Sequence, residues 1–349
     1  MNKATSLNEF KKAIEYFPIE NFIYADRKDS IYLVNNGLVP KRNPNYNWRK
    51  AVPGNTSQTL WTDFHGISDM VNYSNPKAGY LYNVNNSTFY ATDSSENKSV
   101  KNYPAYFSDR FSGQNNRALR VTELMKEFGG KVDYNEFKRL KYDIQLPKQN
   151  NSLTFLEDMG SLDTTRYPDI SHEIKLLRNW DRLTHTESEA AAVFLLTTWY
   201  FYQNKGLTSF FEEIRYDEKT YVEALRFSQM HLKKYFKATQ IKLGDLLRYR
   251  RGNVDLPLSG YPDVMTGIVP DLEKDGRLKF VKGDGFFMFV QFSNQGVDIE
   301  TSQVFGSSGK SESIHYTDQM EMYTKRATKK MSLNKDEILK MAVKIYSPK

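Results

Sequence analysis

The chain has 349 residues, which is enough for one large domain or two of ordinary size. Its 39% hydrophobic and 14% aromatic residues exclude a disordered chain, and the absence of cysteine excludes disulfides, thiolate catalysis and cysteine-ligated zinc. The formal net charge of +7 is modest, and acidic residues lie among the basic clusters, so solvated helix faces are favoured over a nucleic-acid groove.

The first predicted elements are a helix and a hairpin. Ser6 is placed to cap a helix, and two strand-like runs within NFIYADRKDSIYLVNNG flank a charged turn. After a loop rich in Pro, Asn and Gly, short strands are predicted at 60–64 and 80–84. The apolar residues at helical spacing that predict the first helix are Leu7, Phe10, Ala13, Ile14 and Phe17.

From about residue 115 to 247 the pattern is helical. The run NRALRVTELMKEFGG has apolar residues at 118, 121, 124 and 125 and ends in a Gly pair that can form a C-cap. The last third is rich in strands, with KGDGFF as a turn and NKDEILKMAVKIY as a closing helix. This order predicts an α+β fold, with a helical block inserted between two groups of strands that share one sheet system.

No segment has the length of a membrane span. The longest apolar run, AAAVFLLTTWYFY at 190–202, is shorter than the roughly 20 residues that cross a bilayer, so it predicts a buried helix. The first residues, MNKATSLNEFKKAIEYF, lack the apolar core of a signal peptide. We therefore expect neither a membrane span nor an export signal in this sequence.

Common catalytic motifs are weak in this chain. None of the five histidines has the spacing of a metalloprotease helix. The loop GSSGKSESIHYTDQ at 306–319 brings serines near a histidine and an aspartate, but it lacks the G-x-S-x-G elbow. A polar loop whose hydroxyls bond to the backbone is the favoured interpretation, and a catalytic triad is the alternative.

The stretch YNVNNSTFYAT at 82–92 holds three asparagines where the neighbouring residues indicate a strand. Asparagine is unfavourable in strands because its amide competes for backbone hydrogen bonds. Three interpretations are open: turn chemistry, glycosylation at the sequons that begin at Asn85 and Asn86, or a neutral donor for a developing oxyanion.

Five motifs occur in an order that resembles the penicillin acylase (penicillin amidase) family of N-terminal nucleophile hydrolases. They are FIYADRKDSIYLVNNGLVPKR, VPGNTSQTLWTDFHG, NPKAGYLYNVNN, NRALRVTEL and FGSSGKSESIHYTDQMEMY. The resemblance runs from about residue 4 to 346, and the sequence is most similar to the branch of aculeacin and acyl-homoserine-lactone acylases. It implies part of an αββα fold and a periplasmic or secreted protein.

The resemblance also implies a mechanism. In this family a precursor cuts itself, and the serine that becomes the new N-terminus attacks the amide while its own α-amine acts as the base. The resemblance gives Asn85 the oxyanion role and Arg120, in RVTE, an orienting role. The chemistry requires no cofactor, but family members often bind structural calcium, and Asp109 matches one acidic ligand.

The chain departs from the family pattern at the nucleophile. No serine near the start has the expected strand context, so residues 1–349 are interpreted as the C-terminal portion of the large subunit. Within it we expect a strand-rich part at 1–110, a helical block at 111–250 and a strand-rich part with a closing helix at 251–349. The expected partners are the missing upstream segment or small subunit and a small-molecule acyl amide.

Two functional hypotheses follow. The first is an amide hydrolase in which this chain supplies Asn85 and needs the missing segment for activity. The second is a catalytically inactive remnant or binding module of the same fold. In either case an incomplete sheet would leave strand edges uncovered, so the chain expressed alone is expected to aggregate or expose apolar surface.

Overall fold

The computed structural model describes residues 1, 3–107, 113–148, 154–207 and 214–347. It combines helices with open sheets, which confirms the α+β class. Internal contacts divide the chain into two compact units, Met1–Gly130 and Lys131–Lys349.

The unit Met1–Gly130 is built on a three-stranded antiparallel sheet in the order β1-β2-β3. Ser6 caps the first helix as predicted, because its hydroxyl accepts a hydrogen bond from the backbone N–H of Glu9. The predicted hairpin is also confirmed by the pairing of β1 with β2. The elements are α1 (Leu7–Ile14), β1 (Ile19–Ala25), β2 (Ile31–Gly37), β3 (Asn72–Ser74) and α2 (Asn116–Glu127).

Strand β2 has apolar side chains on both faces, and each face is covered. Tyr32 and Val34 pack with Ile14 of α1, whereas Leu33 points to the opposite face, because side chains alternate along a strand. On that second face Leu33 belongs to a cluster with Phe89 and other residues. Phe89 belongs to the stretch YNVNNSTFYAT at 82–92, hereafter the asparagine stretch. A buried aromatic side chain thus anchors this stretch near its C-terminal end.

The strands predicted at 60–64 and 80–84 are absent. In the first segment only Phe64 pairs, through an isolated bridge to Pro40, and residues 80–84 form no ladder. The physical reason in the second segment is local competition. The side-chain oxygens of Asn83 and Asn86 accept the backbone N–H groups that a neighbouring strand would otherwise bind.

The unit Lys131–Lys349 contains a helical part followed by strands. Its helices are α3 (Tyr134–Lys141), α4 (Thr154–Ser161), α5 (Ser171–Arg178), α6 (Glu189–Asn204), α7 (Glu218–Phe236), α8 (Leu243–Leu246), α9 (Met320–Thr324) and α10 (Lys335–Met341). Its strands are β4 (Leu247–Arg251), β5 (Val254–Pro257), β6 (Val269–Leu272), β7 (Leu278–Lys282), β8 (Phe286–Ser293), β9 (Gly296–Gln303) and β10 (Lys329–Lys330).

These later strands form two sheets, in the orders β5-β4-β7-β6 and β10-β9-β8, with β4 and β7 parallel. Neither sheet includes β1, β2 or β3. The expectation that early and late strands share one sheet system is therefore wrong for the described residues. Apolar periodicity identifies which segments become strands, but it does not identify which edges pair.

Helix α6 forms the centre of the core of this unit, as its uninterrupted apolar run predicts. Phe194 is fully buried, and its ring lies 5.6 Å from the ring of Phe155 and 5.3 Å from that of Tyr261. A helix that is apolar on all sides must be buried. Among the described residues, no helix is both long and apolar enough to cross a membrane.

The turn between β6 and β7 is fixed to α7 by close contacts at Gly276. His231 Nε2 lies 2.7 Å from the Gly276 carbonyl oxygen, and burial lowers the pKa of His231, so the neutral ring donates this hydrogen bond. A Cβ atom at position 276 would lie 2.2 Å from Cγ of Tyr235. Gly276 also has a φ of +84°, so two separate constraints require glycine here.

Gly276→Ala and Gly206→Ala separate these two constraints. Gly206 has a φ of +68° but open space around the position of a Cβ atom. We expect Gly206→Ala to cost about 1 kcal/mol in the free energy of unfolding through backbone strain. Gly276→Ala should cost about 1–3 kcal/mol more through the clash with Tyr235. Urea melts of both variants measure the difference, and equal losses would contradict the packing at this turn.

Candidate functional site

The asparagine stretch is a loop that two of its asparagines hold in shape. The Asn83 side-chain oxygen accepts the backbone N–H of Asn85 at 3.1 Å, and the Asn86 side-chain oxygen accepts that of Val84 at 3.0 Å. The Asn86 amide also donates to the carbonyls of Ser87 and Tyr90. Both residues therefore serve turn chemistry, which is one of the three interpretations that the sequence leaves open.

Asn85 differs from its neighbours in both backbone and exposure. Its φ is +58°, a left-handed conformation that asparagine tolerates better than other residues with a side chain. Its side chain is exposed, whereas that of Asn86 is buried. The loop thus directs the amide of Asn85 towards solvent.

Arg117 fixes the orientation of the Asn85 amide. Its Nη1 donates a hydrogen bond to Asn85 Oδ1 at 3.1 Å. A guanidinium has only donors, so the oxygen of the amide must face it and the Nδ2 donor must point away. Among the described residues, no hydrogen bond involves Nδ2 of Asn85. This leaves a neutral N–H donor held at the protein surface.

Asn115 connects the loop to helix α2. It is fully buried, and its Oδ1 accepts the backbone N–H of Ala118 at 2.9 Å as the N-cap of the helix. Its Nδ2 donates to the carbonyl oxygen of Val84 at 2.9 Å. One side chain therefore sets both the start of α2 and the position of the residue before Asn85.

Arg120 lies one turn after Arg117 on α2 and is buried, with 5% of its surface exposed. Its Nη1 lies 2.9 Å from Glu123 Oε2 and 3.6 Å from Glu127 Oε1. Two carboxylates of its own helix thus offset the cost of burying its charge. The hydrogen bond from Arg117 thus connects Asn85 to α2, and Arg120 lies on the same helix.

Arg117 was missed by the sequence analysis. Its position in NRALR is an ordinary helical position, and its contact with Asn85 spans 32 residues of sequence. The only available signal is its spacing, because residues three apart share one helix face and Arg117 precedes Arg120 by three.

The loop at 306–319 contains a hydrogen-bonded histidine and aspartate but no described triad. His315 Nδ1 lies 2.8 Å from Asp318 Oδ2. The hydroxyls of Ser308 and Ser313 accept backbone N–H groups, at 3.1 Å in each case. Among the described residues, no serine hydroxyl bonds to the imidazole ring of His315, so the polar-loop interpretation fits the contacts.

Calcium binding stays a prediction. Asp109, its expected ligand, lies outside the described residues. Within the described ranges, no group of three or more His, Asp or Glu side chains is arranged to hold a metal ion.

Comparisons with known proteins agree on one family. The family model described as penicillin amidase matches residues 1–340. A solved structure of thermostable penicillin G acylase from Alcaligenes faecalis matches with a TM-score of 0.58 and 17% sequence identity. The match covers 99% of this chain and 71% of that chain. At 17% identity, this structural match shows that the two proteins have similar folds and shows nothing beyond the fold.

Asn115→Ala and Asn115→Asp test the connection between loop and helix. An aspartate keeps the cap acceptor for Ala118 but loses the donor to Val84, whereas alanine loses both. We expect each lost bond to cost about 1–2 kcal/mol. Hydrogen exchange should accelerate across residues 84–90 in both variants, but at the start of α2 only in Asn115→Ala. An unchanged rate across residues 84–90 in both variants would contradict the connection.

Proposed function

Because the chain belongs to the penicillin amidase family, we propose that it provides the oxyanion donor of an enzyme that hydrolyses a linear acyl amide. Family membership supports an amide hydrolase lineage. In the proposal, Asn85 Nδ2 donates to the oxygen of the reacting carbonyl, and Arg117 and Arg120 are positioning residues. The observation that carries it is the hydrogen bond from Arg117 to Asn85 Oδ1.

This hydrogen bond suits an oxyanion donor for two reasons. It fixes the amide before substrate arrives, so little reorganisation is needed during the reaction. It also polarises the amide, since a cation at Oδ1 draws electron density from the N–H groups of Nδ2. A carboxylate at the same position would repel the oxyanion, whereas the neutral amide cannot ionise.

The proposed reaction places the nucleophile on a segment outside these 349 residues. There a serine hydroxyl attacks the carbonyl carbon, its proton passes through water to the serine α-amine, and the carbonyl oxygen becomes the oxyanion. Collapse of this intermediate breaks the C–N bond, the leaving amine takes the proton back from the α-ammonium group, and the acyl group stays on the serine as an ester. Water then attacks the ester, losing a proton to the α-amine, and collapse of the second intermediate releases the carboxylic acid and returns that proton to the serine oxygen. Asn85 stabilises the oxyanion in both halves of the reaction.

Arg120 has a different part in the proposal. Its burial and its ion pair with Glu123 hold the guanidinium in one place on a rigid helix, as an orienting residue requires. By family resemblance it helps to orient the α-amine of the nucleophile and the asparagine. Arg117 is an addition to that pattern, because it is the arginine that donates to Asn85 in this structure.

The test uses this chain joined to, or mixed with, its nucleophile-bearing segment and chromogenic amides of several acyl lengths. Asn85→Asp removes the donor and keeps a residue that tolerates the left-handed backbone. We expect kcat to fall by roughly 10²–10³ with little change in KM. Asn83→Asp is the matched control, since it adds the same charge to the loop and keeps the acceptor for the N–H of Asn85.

Two results would contradict the proposal. Equal rates for Asn85→Asp and Asn83→Asp would remove Asn85 from the mechanism. No hydrolysis of any acyl amide by a correctly folded complex would instead favour the catalytically inactive remnant or binding module. A preference among acyl lengths would test the similarity to acylases that remove aliphatic chains.

A further inference from the structure

An arginine in the loop between β2 and β3 lies among three aromatic rings. The Cζ atom of Arg42 is 5.1 Å from the ring centre of Tyr106, 5.6 Å from that of Trp61 and 5.7 Å from that of Trp48. At each of these distances a ring attracts a cation. The three rings therefore surround one positive charge, and these four residues are called the Arg42 cluster below.

Two of the three rings are fixed by hydrogen bonds. The indole Nε1 of Trp48 donates to the carbonyl oxygen of Asn43 at 2.7 Å. The hydroxyl of Tyr106 lies 2.8 Å from Nε2 of His65, and it accepts the backbone N–H of Arg42 at 3.4 Å. These contacts hold the two rings and the backbone of Arg42 in one arrangement.

The third ring is open to solvent. Trp61 is 56% exposed, and within the described ranges no residue accepts a hydrogen bond from its indole N–H. Leu60 and Phe64, which are close to it in the sequence, are also exposed. Grouped apolar residues at a surface, in contrast to isolated ones, indicate a binding site. The Arg42 cluster thus has two fixed walls and one open wall.

The guanidinium of Arg42 has donors without acceptors. Among the residues that the structure describes, it makes neither an ion pair nor a hydrogen bond. Its Nε is enclosed by protein, whereas Nη1 and Nη2 are not, so these two donors are accessible. The aspartates of the same loop have other partners, since Asp63 lies 2.7 Å from Lys41 Nζ and Asp69 lies 3.3 Å from His65 Nδ1.

We propose that the Arg42 cluster binds a small aromatic monocarboxylate. The carboxylate accepts hydrogen bonds from Nη1 and Nη2 of Arg42, a paired geometry that a guanidinium offers and a carboxylate matches. The aromatic ring of the ligand packs against the exposed surface of Trp61, as aromatic pairs do. A monoanion fits because the charge of Lys41 is offset by Asp63, which leaves one unpaired cation. The site does not depend on amide hydrolysis.

The indole N–H resonances of the four tryptophans, recorded on the ¹⁵N-labelled full chain, test the site. The probe is benzoate; benzamide has the same ring without the charge, and cyclohexanecarboxylate has the charge without the aromatic ring. We expect benzoate to shift the Trp61 resonance saturably and to bind at least about tenfold more tightly than benzamide, because hydrogen bonds to a charged group are stronger. No saturable shift at millimolar benzoate would overturn the proposal.

Variants connect the binding to the two proposed contacts. Arg42→Gln should weaken benzoate binding at least about tenfold, and Arg42→Lys should weaken it less, because lysine keeps the charge but not the paired donors. Arg27→Gln, at an exposed arginine outside the cluster, is the matched control and should leave the affinity unchanged. Trp61→Leu assigns the Trp61 resonance, and it should weaken binding, followed at Trp48, without lowering the melting temperature, since the ring is exposed.

Melting curves distinguish a ligand site from a structural role of Arg42. A ligand that binds only the folded chain raises the melting temperature, so benzoate should stabilise the parent protein but not Arg42→Gln. If Arg42→Gln does not fold, Trp61→Leu decides. Benzoate affinity that is unchanged in Arg42→Gln or in Trp61→Leu would overturn the proposal. Equal affinity for benzoate and cyclohexanecarboxylate would also overturn it, because the aromatic ring would then have no contact of its own.

Discussion

The candidate site depends on one buried side chain, that of Asn115. Its amide bonds to the Val84 carbonyl and caps α2 at Ala118, so the loop and the helix cannot shift independently. This geometry allows Arg117 to reach Asn85, and it offsets the cost of about 1–2 kcal/mol of a left-handed backbone at Asn85. Strain of this kind persists only where neighbouring contacts over-determine it, which is common at functional sites.

Helices were largely predictable because their signals are local. The apolar spacing in NRALRVTELMKEFGG predicted a helix whose buried positions include 118, 121, 124 and 125, and α2 buries those residues. Gly129, the residue after the C-cap, has a φ of +66°, the left-handed conformation that ends many helices. The strand predicted at 80–84 is wrong because Tyr and Val favour strands, whereas the side chains of Asn83 and Asn86 hydrogen-bond to the local backbone and prevent strand pairing.

The site was predictable only in part, because its geometry is not local. Resemblance to the family pointed to Asn85 and Arg120, but it could not indicate that Arg117 is the residue bonded to Asn85. Composition and motif order identify a lineage, whereas hydrogen-bond partners depend on how loops pack against helices.

The central claim is that Arg117 acts through Asn85 to hold an oxyanion donor. A double-mutant cycle on kcat tests it most directly, with Asn85→Gly, Arg117→Met and the double variant in the complex that carries the nucleophile. Glycine at position 85 removes the amide and accepts the positive φ. The account predicts that Arg117→Met lowers kcat in the parent protein but costs little further once the Asn85 amide is absent. Losses that multiply in the double variant would show that the two residues act independently, and would contradict the claim.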